Sequence, residues 1–302
     1  MISGTTLGLV AALGTAIGWT GTALFFSASG RRVGSEAVNL TRLLIAIALL
    51  GAAHWLLVGA PVPIDADAER WRWLAVSGLT GLVVGDIALF EAYVLLGPRL
   101  PSLLMALAPI LGTLFSWGLL GERLALLQVA AIVLTVGGVA IVVAERTPGG
   151  RGADDARLFT RGVVLGLVGA LGQAAGLVAS KRAMVGDYSA LSATLGRILI
   201  AAVILWLLAF VRGRIPHVVR AWRDRRALAL ITAGAVCGPF IGIWLSLYAV
   251  REAPVGLASA VMAISPILVL AVEAARGRHV TGQAVVGTVV AVGGVGMLFA
   301  VG

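Results

Sequence analysis

The chain has 302 residues, of which 60% are hydrophobic and only 12% are charged, and its mean hydropathy is +1.03. Soluble globular proteins are nearer half apolar and a quarter charged, so this composition excludes a water-soluble domain folded around one core. The formal charge of +9 comes from basic residues that lie mostly in short loops between apolar segments. That placement is typical of membrane proteins and argues against a nucleic-acid partner.

The sequence provides no residue set for a metal or a cofactor. Its single cysteine, Cys237, permits no internal disulfide, and its histidines are scattered. We therefore expect no metal and no cofactor. No phosphate-binding loop motif occurs either, so we expect no ATP-driven transport within this chain. The sequence shows no recognisable combination of nucleophile, general base or metal ligands, so an enzymatic function is disfavoured.

Continuous apolar segments of about 20 residues recur along the chain, each long enough to cross a hydrocarbon core of about 30 Å as a helix. Continuous rather than alternating hydrophobicity favours helices over barrel strands. The sequence therefore predicts an all-α integral membrane protein with ten transmembrane helices, at residues 6–28, 36–58, 74–96, 101–120, 124–144, 162–180, 190–211, 227–250, 257–274 and 282–301.

The second part of the chain repeats the first. LGLVAALGTAIG (Leu7–Gly18) matches LGLVGALGQAAG (Leu165–Gly176) at nine of twelve positions, an offset of 158. Shorter matches follow in the same order at offsets of 155 to 157, around Arg42 and Arg197, Pro109 and Pro266, and Val136 and Val292. We interpret residues 1–145 as a first five-helix repeat, 146–161 as a polar linker and 162–302 as a second five-helix repeat.

An odd number of helices per repeat predicts that the second copy is inverted in the membrane. Inverted repeats around a central cavity are the architecture of alternating-access transporters, since exchanging the conformations of the two halves moves the opening from one side to the other. The alternative is an old duplication that is retained only for packing.

Several short motifs resemble a known family. They are an arginine near the start of the second helix of each half (Arg42, Arg197), the segment PILGTLFSWGLLGER in which Glu122 follows Pro109 by thirteen residues, and the Gly-Gly-Val that closes each half. Over its whole length the chain resembles EamA-type members of the drug/metabolite transporter superfamily, including bacterial exporters of amino acids and other metabolites. The second half departs from the pattern, because His279 stands at the position of Glu122. The resemblance implies secondary export of small metabolites, often amino acids, through a central cavity.

The distribution of basic residues predicts an orientation. Six lysines and arginines fall in loops on the side that holds the termini, against fifteen on the other side. By the positive-inside rule both termini face away from the cytoplasm, although the family resemblance leaves cytoplasmic termini as an alternative. We expect a multi-pass protein of a bacterial-type inner (cytoplasmic) membrane that functions as a monomer.

Ionisable residues inside spans usually face a cavity or one another. Arg42 and Glu91 reach the same depth from opposite helix ends, so we expect them to pair as a structural or gating element. Arg197 repeats Arg42, but Ser246, which is itself a candidate to line the substrate cavity, stands at the position of Glu91. We therefore expect Arg197 to bind a substrate carboxylate through its parallel N–H donors; the alternative is that it extends to a helix end or lines water.

Asp86 lies nearest the middle of its span and is a candidate for proton coupling, the alternative being a hydrogen-bonded packing residue. Glu91 is about 140° away around the helix, so the two carboxylates cannot form a dyad on one face. His54, near the end of the second span, is expected to be interfacial rather than a proton relay.

Uncharged polar residues occupy the middle of both first helices. Thr15 and Gln173 are matched by the repeat, which favours a neutral or zwitterionic substrate over a lipophilic cation; inter-helix hydrogen bonding explains them equally well. Tyr93 and its mate Tyr248, with Trp244, are candidates to wall the cavity, unless they belong to the interfacial aromatic belt.

Methionine and proline recur at matched positions of the fourth and ninth predicted spans, and the eighth span carries a further proline. Met105 and Met262 could adapt to several apolar substrates. Pro109, Pro239 and Pro266 are candidate hinges, because proline removes a backbone hydrogen bond within a span.

The function that fits best is secondary transport, in which the protein exports small organic metabolites. Amino acids, including those with aromatic or apolar side chains, are the favoured substrates. A carrier of nucleotide sugars or sugar phosphates is the alternative within transport, but a doubly charged phosphate should need more cavity cations than Arg197 alone. A passive channel, a lipid flippase and a membrane enzyme are less favoured. The expected partners are the small-molecule substrate and the lipid bilayer.

Overall fold

The structure, a computed structural model, describes residues 4–108, 110–112, 114, 126–144, 153–186, 188–252, 258 and 261–300. The regular elements in these ranges are all helices. They are α1 (Gly4–Val33), α2 (Ser35–Val58), α3 (Ala68–Leu96), α4 (Arg99–Met105), α5 (Leu126–Ala144), α6 (Ala153–Ala183), α7 (Ala190–Val211), α8 (Ile215–Ala221), α9 (Arg225–Ala235, Val236–Gly242 and Ile243–Glu252), α10 (Ser265–Ala275) and α11 (Gly282–Ala300).

Six of the described helices are long and apolar enough to cross a membrane, namely α1, α2, α3, α6, α7 and α9. The described parts of α4, α5, α10 and α11 are shorter apolar helices at the positions of the other predicted spans. The protein is therefore a multi-pass membrane protein, and its regular structure is helical throughout the ranges given above. Helix α8 was not predicted, and α6 begins at Ala153, so residues 153–161 of the predicted polar linker are helical.

The second helices of the two halves, α2 and α7, pack against each other in opposite directions. His54, near the end of α2, has its Nε2 atom 2.9 Å from the hydroxyl of Ser192 near the start of α7. Leu40, near the start of α2, shares a buried cluster with Ala209 near the end of α7. Since α2 and α7 are repeat mates, the two copies run antiparallel here, as the inverted duplication predicts.

The fifth helices of the halves, α5 and α11, repeat this relationship. A Cβ on Gly294 would lie 2.4 Å from the hydroxyl of Thr135, whereas one on Gly287 would lie 2.6 Å from a methyl of Val142. The two helices are thus antiparallel and in close backbone contact. The small residues that the sequence marks on both spans pack against each other within the chain.

Each first helix packs against the third helix of the other half. A Cβ on Gly18 of α1 would lie 2.5 Å from the carbonyl oxygen of Cys237 in α9. In the matching place, a Cβ on Gly176 of α6 would lie 2.9 Å from the Cα of Gly81 in α3. Glycine is required at both repeat mates, because a side chain would strike backbone that cannot move away.

The third helices of both halves contain a π-helical segment at matching positions, Gly78–Gly85 in α3 and Val236–Gly242 in α9. A π segment shifts the backbone hydrogen-bond register and so leaves a carbonyl free for other partners; such segments are frequent at functional sites. Pro239 lies inside the second segment, where the altered register accommodates its missing N–H.

The fourth helices are interrupted, also at matching positions. Helix α4 ends at Met105 and tightens through Ala106, whose N–H donates to the carbonyl of Leu103. In the second half Ile264 donates in the same way to Val261, and α10 begins immediately afterwards. Pro266 therefore lies in the first turn of α10, where its missing N–H costs no bond, rather than inside a continuous span as we expected. Pro109 lies outside the described residues.

Candidate functional site

A buried ion pair joins α2 to α3 in the middle of the bundle. Arg42 and Asp86 are only 2% and 5% exposed, and the Arg42 Nη2 atom donates to the Asp86 carboxylate. Nε and Nη2 of Arg42 also donate to the side-chain oxygen of Asn39, at 3.0 and 2.9 Å. The guanidinium lies 4.6 Å from the centre of the Phe90 ring. The Nε and Nη2 atoms of Arg42 are thus both bound by neighbours from its own half.

The predicted pairing of Arg42 with Glu91 is wrong. Glu91 accepts a hydrogen bond of 2.6 Å from the hydroxyl of Ser35 and lies 3.4 Å from the guanidinium of Arg161. Its side chain is 29% exposed, so it stays solvated, whereas the buried Asp86 needs a counter-ion. Counting residues along each helix matched Glu91 to Arg42 in depth, but it did not decide which of the two carboxylates, about 140° apart around α3, faces the arginine.

Gln173 of α6 connects the second half to this pair. Its Nε2 atom donates to the Asp86 carboxylate at 2.7 Å and to the carbonyl of Gly81 at 3.1 Å. Gly81 lies in the π segment of α3, whose register makes that carbonyl available. The polar residue that we identified from the repeat is therefore part of the charge cluster.

Arg197 of α7 lies on the other side of Gly81. It is 4% exposed, and its Nη2 atom lies 2.6 Å from the position that a Cβ on Gly81 would take. The charges of Asp86 and Arg42 both act on it electrostatically. Among the described residues neither its Nε nor its Nη2 atom has a hydrogen-bond partner. We refer to Asn39, Arg42, Asp86, Gln173 and Arg197 as the central cluster.

A cavity of about 410 Å³ leads from one face of the bundle to the central cluster. Both halves line it, with α2 and α3 on one side and α6 and α7 on the other. Asn39 forms part of its inner wall, so the cavity ends at the group that holds Arg42. Its outer part carries the charged residues Glu36, Glu91, Arg161, Arg212 and Arg214.

Two other polar candidates are satisfied by nearby groups. Thr15 is completely buried, and its hydroxyl donates to the carbonyl of Ala11 at 3.0 Å and lies 3.4 Å from that of Gly242. The hydroxyl of Ser246 donates within its own helix to Ile243. Their contacts are those of packing residues.

His54 lies away from the cavity, at the opposite end of α2. The structure buries it completely between the two halves, against the expectation of an interfacial residue. Besides its contact with Ser192, its ring meets the carbonyl of Ala60. The chain turns back over this end of the helix after Gly59, and that turn covers the ring.

The aromatic and methionine candidates fall into separate groups. Tyr93 packs with Phe90 beside the ion pair, the ring centres 6.2 Å apart. Trp244 packs on Phe240 against the cluster that contains Leu195 and Ile198. The remaining candidates lie elsewhere: Tyr248 and Met262 pack with Ala11 and Ala12, and Met105 lies between the Tyr93 group and the Leu103 group.

Comparison with known proteins identifies the family. A profile described as the EamA-like transporter family matches the chain twice, over residues 6–144 and 160–300. The chain belongs to the EamA-like transporter family. Members of this family are transporters, so the match supports transport of small molecules rather than catalysis. It confirms the family resemblance that the arginine, proline and glycine motifs suggested.

Searches beyond the family profile establish the fold alone. No curated protein matches this EamA-family chain. A solved structure, described only as a crystal structure of a protein, is 22% identical to it with a TM-score of 0.67. That match covers 96% of this chain and 95% of the other.

Sequence reasoning missed two features of the site in this EamA-family chain. Asn39 stands one turn before Arg42, a spacing at which side chains meet on a helix, and this signal could have been used. The π segments leave no trace in hydropathy, although each is rich in glycine (GLTGLVVG and VCGPFIG).

Proposed function

We propose that this protein is a secondary transporter that moves small organic metabolites by alternating access between two inverted halves of five spans each. The observation that carries the proposal is the cavity of about 410 Å³ that both halves line and that ends at the buried central cluster. Paired π segments and interrupted helices add support, since broken helices at the interface of inverted repeats commonly form transporter binding sites.

Amino acids are the substrate class we favour. The cavity lies within the size range of small-molecule sites. The central cluster offers guanidinium and amide donors, and the aromatic ring of Phe90 lies next to it. Such surroundings suit a small metabolite that combines a carboxylate with an apolar part.

Export fits the position of the cavity. Its outer part lies on the face that carries Arg161, Arg212 and Arg214, the face with the larger number of basic residues. The positive-inside rule assigns that face to the cytoplasm, so the cavity would load from inside the cell. We therefore propose an exporter of a bacterial-type inner membrane, active as a monomer.

Asp86 is the residue we propose for proton coupling, with Arg42 as its gating partner. It is the only acidic residue of the central cluster, and Arg42 and Gln173 both donate to it. Protonation would weaken both contacts, one of which joins the halves. Transport by Asp86→Asn should lose its dependence on a pH gradient; transport that keeps this dependence would remove Asp86 from the coupling role.

Counterflow in proteoliposomes tests the function. Vesicles loaded with an unlabelled amino acid should accumulate the same labelled amino acid transiently against its gradient, in a screen of amino acids with and without a pH gradient. A channel equilibrates the label without this overshoot. A complete screen without overshoot contradicts the proposal.

Cross-linking the two halves adds a mechanistic test. Glu91 of α3 and Arg161 of α6 face each other at 3.4 Å from opposite halves. In a Cys237→Ala background, Glu91→Cys with Arg161→Cys should lose counterflow after treatment with a short bifunctional thiol reagent. The two single-cysteine variants serve as matched controls and should keep it. Full activity of the cross-linked double variant contradicts alternating access.

The orientation is tested by labelling. Cysteines introduced at Ser3 and Arg220 should react from outside and inside intact cells, respectively. Labelling of the Arg220 position from outside contradicts both the orientation and the loading side proposed for the cavity.

A further inference from the structure

The central cluster contains more positive than negative charge. Among the described residues that compose it, Arg42 and Arg197 are cationic and Asp86 is the single acid. Asp86 is engaged by Arg42, so its charge is already matched. The second buried guanidinium leaves the cluster with one positive charge in excess, and a buried charge without a counter-ion is costly.

The repeat shows why Arg197 differs from its mate. At the shared offset of 155, Asn39 corresponds to Thr194 and Asp86 corresponds to Ile241. The hydroxyl of Thr194 donates to its own helix, to the carbonyl of Ala190 at 2.7 Å. The second half has thus lost both of the groups that engage Arg42 in the first half, yet it has kept the arginine buried.

The unpartnered nitrogens of Arg197 form a defined edge. Nε and Nη2 are neighbours on one side of the guanidinium, and their N–H bonds run parallel. In Arg42 the same edge binds Asn39, and its Nη2 atom also binds Asp86. A planar group with two oxygens accepts both N–H bonds of such an edge.

We propose that Arg197 binds the carboxylate of the transported substrate through its Nε and Nη2 atoms, the substrate supplying the counter-ion that the second half lacks. This inference rests on the proposed function and specifies its substrate as a small molecule with one carboxylate. A phosphate dianion would need a second free cation, but Arg42 is already engaged by Asp86 and Asn39. The Phe90 ring lies over the Arg42 guanidinium in the same cluster, which favours a substrate whose remaining part is apolar or aromatic.

Arg197 lies one layer deeper than the cavity. Asn39 lines the cavity but Arg197 does not, and on α7 the lining begins at Leu205, two helical turns beyond Arg197. Contacts run from Asn39 through Arg42, Asp86 and Gln173 to Gly81, which lies next to Arg197, so on this proposal a carboxylate that enters from the cavity has to pass this chain of contacts. Movement of the Arg42–Asp86 pair is the step that admits the substrate.

Paired ligands that differ only in the replacement of the carboxylate by its uncharged carboxamide test the proposal. The purified full chain is titrated with each of the twenty amino acids, 3-phenylpropionate and 2-oxo-3-phenylpropionate, and with the carboxamide of each, and binding is measured calorimetrically. At least one carboxylate should bind about 10- to 100-fold more tightly than its amide, the range expected for hydrogen bonds to a charged group. A panel in which no acid binds more tightly than its amide overturns the proposal.

Variants assign the preference to Arg197. Arg197→Gln should bind acid and amide equally, and Arg197→Lys should retain part of the preference because it keeps the charge without the fork. Arg182→Gln, which removes an arginine that lies over Trp73 outside the cluster, is the matched control and should discriminate as the wild type does. An Arg197→Gln protein that still prefers the acid overturns the proposal.

Measurements of thermal unfolding and of counterflow distinguish a failure of this site from misfolding and from a failure of the proposed function. Because Arg197 has no protein partner at these nitrogens, Arg197→Gln should unfold at the same temperature as the wild type or higher, so lost binding is not lost folding. Acid-selective binding without counterflow supports this site and contradicts the transporter function. Counterflow of acids and amides at equal rates, unchanged in Arg197→Gln, supports the function and overturns this site.

Discussion

Gln173 in the second half of the chain donates a hydrogen bond of 2.7 Å to Asp86 in the first half. The same amide nitrogen reaches the Gly81 carbonyl in the π segment of α3. One side chain of the second half thereby binds both the buried carboxylate and the π segment of the first half.

Replacing Gln173 by leucine should lower the free energy of unfolding by about 1.5–3 kcal/mol, because a hydrogen bond to a buried charged group is lost. Gln283→Leu is the matched control, since Gln283 also donates to a carbonyl, that of Ile141, but at an exposed position. The control should change stability by no more than about 0.5 kcal/mol. Thermal and denaturant unfolding in lipid nanodiscs measure both; equal losses would contradict a special role for Gln173.

Removing one member of the buried ion pair should cost more than removing both. Arg42→Gln leaves the Asp86 charge without its main partner and should destabilise the protein by about 3–5 kcal/mol. Adding Asp86→Asn to Arg42→Gln should recover a large part of that loss. A double-mutant cycle measures the coupling between the two sites. Strictly additive losses would show that the pair is not coupled.

The close approach of α6 to the π segment predicts different effects for two glycines. A Cβ on Gly172 would lie 2.6 Å from the carbonyl oxygen of Thr80 and 2.7 Å from the Cα of Gly85, both backbone atoms. Gly172→Ala should therefore destabilise by about 1–3 kcal/mol, as overpacking does. At Gly137 nothing lies within 4 Å of an added Cβ, so Gly137→Ala should be neutral or stabilising by up to about 1 kcal/mol. Similar melting temperatures for the two variants would contradict the packing described for α3 and α6.

Asp224 is the N-cap residue of α9, and its contacts predict an acid-dependent loss of stability. Hydrogen bonds from the backbone N–H of Ala227 and from Arg32 hold the pKa of its carboxyl below the ordinary value of 3.8. Since the folded pKa is lowered, the stabilisation by this charge is complete above the ordinary pKa and is lost as the pH falls through the lower, folded pKa. Asp224→Asn keeps a capping oxygen but carries no charge.

The melting temperatures of the wild type and of Asp224→Asn, compared from pH 6 downward, check this prediction. The advantage of the wild type should be constant near neutral pH and shrink below the ordinary carboxyl pKa. An advantage that grows on acidification would reverse the sign and contradict the assignment.

Much of the fold follows from hydropathy and repetition, because burial in lipid leaves a long apolar run little choice but a helix. The start of α6 did not follow, since the polar residues 153–161 carry no apolar signal and yet continue the helix beyond the span. The duplication predicted the antiparallel packing of α2 on α7, because repeat mates that meet across an inversion must run in opposite directions.

The sequence identified most residues of the central cluster but not which of them contact one another. Arg42, Asp86, Gln173 and Arg197 were all identified, because polar residues in the middle of a span stand out. The partner of Arg42 was misassigned, since sequence spacing fixes the depth of a residue in the membrane but not the direction of its side chain. The π segments were missed because a shift in hydrogen-bond register changes no residue type.

Distances measured across both faces of the bundle test the central claim most directly. In a Cys237→Ala background, spin labels at Glu36 and Arg214 report the cavity face, where these residues pair at 2.7 Å, and labels at Arg70 and Val185 report the opposite face, where they meet at 3.2 Å. Double electron–electron resonance in nanodiscs should show, for each pair, a population at the short distance seen here and a separated population. A transported substrate should shift these populations in opposite directions at the two faces. Distances that both stay fixed, or that lengthen together, would contradict alternating access between inverted halves.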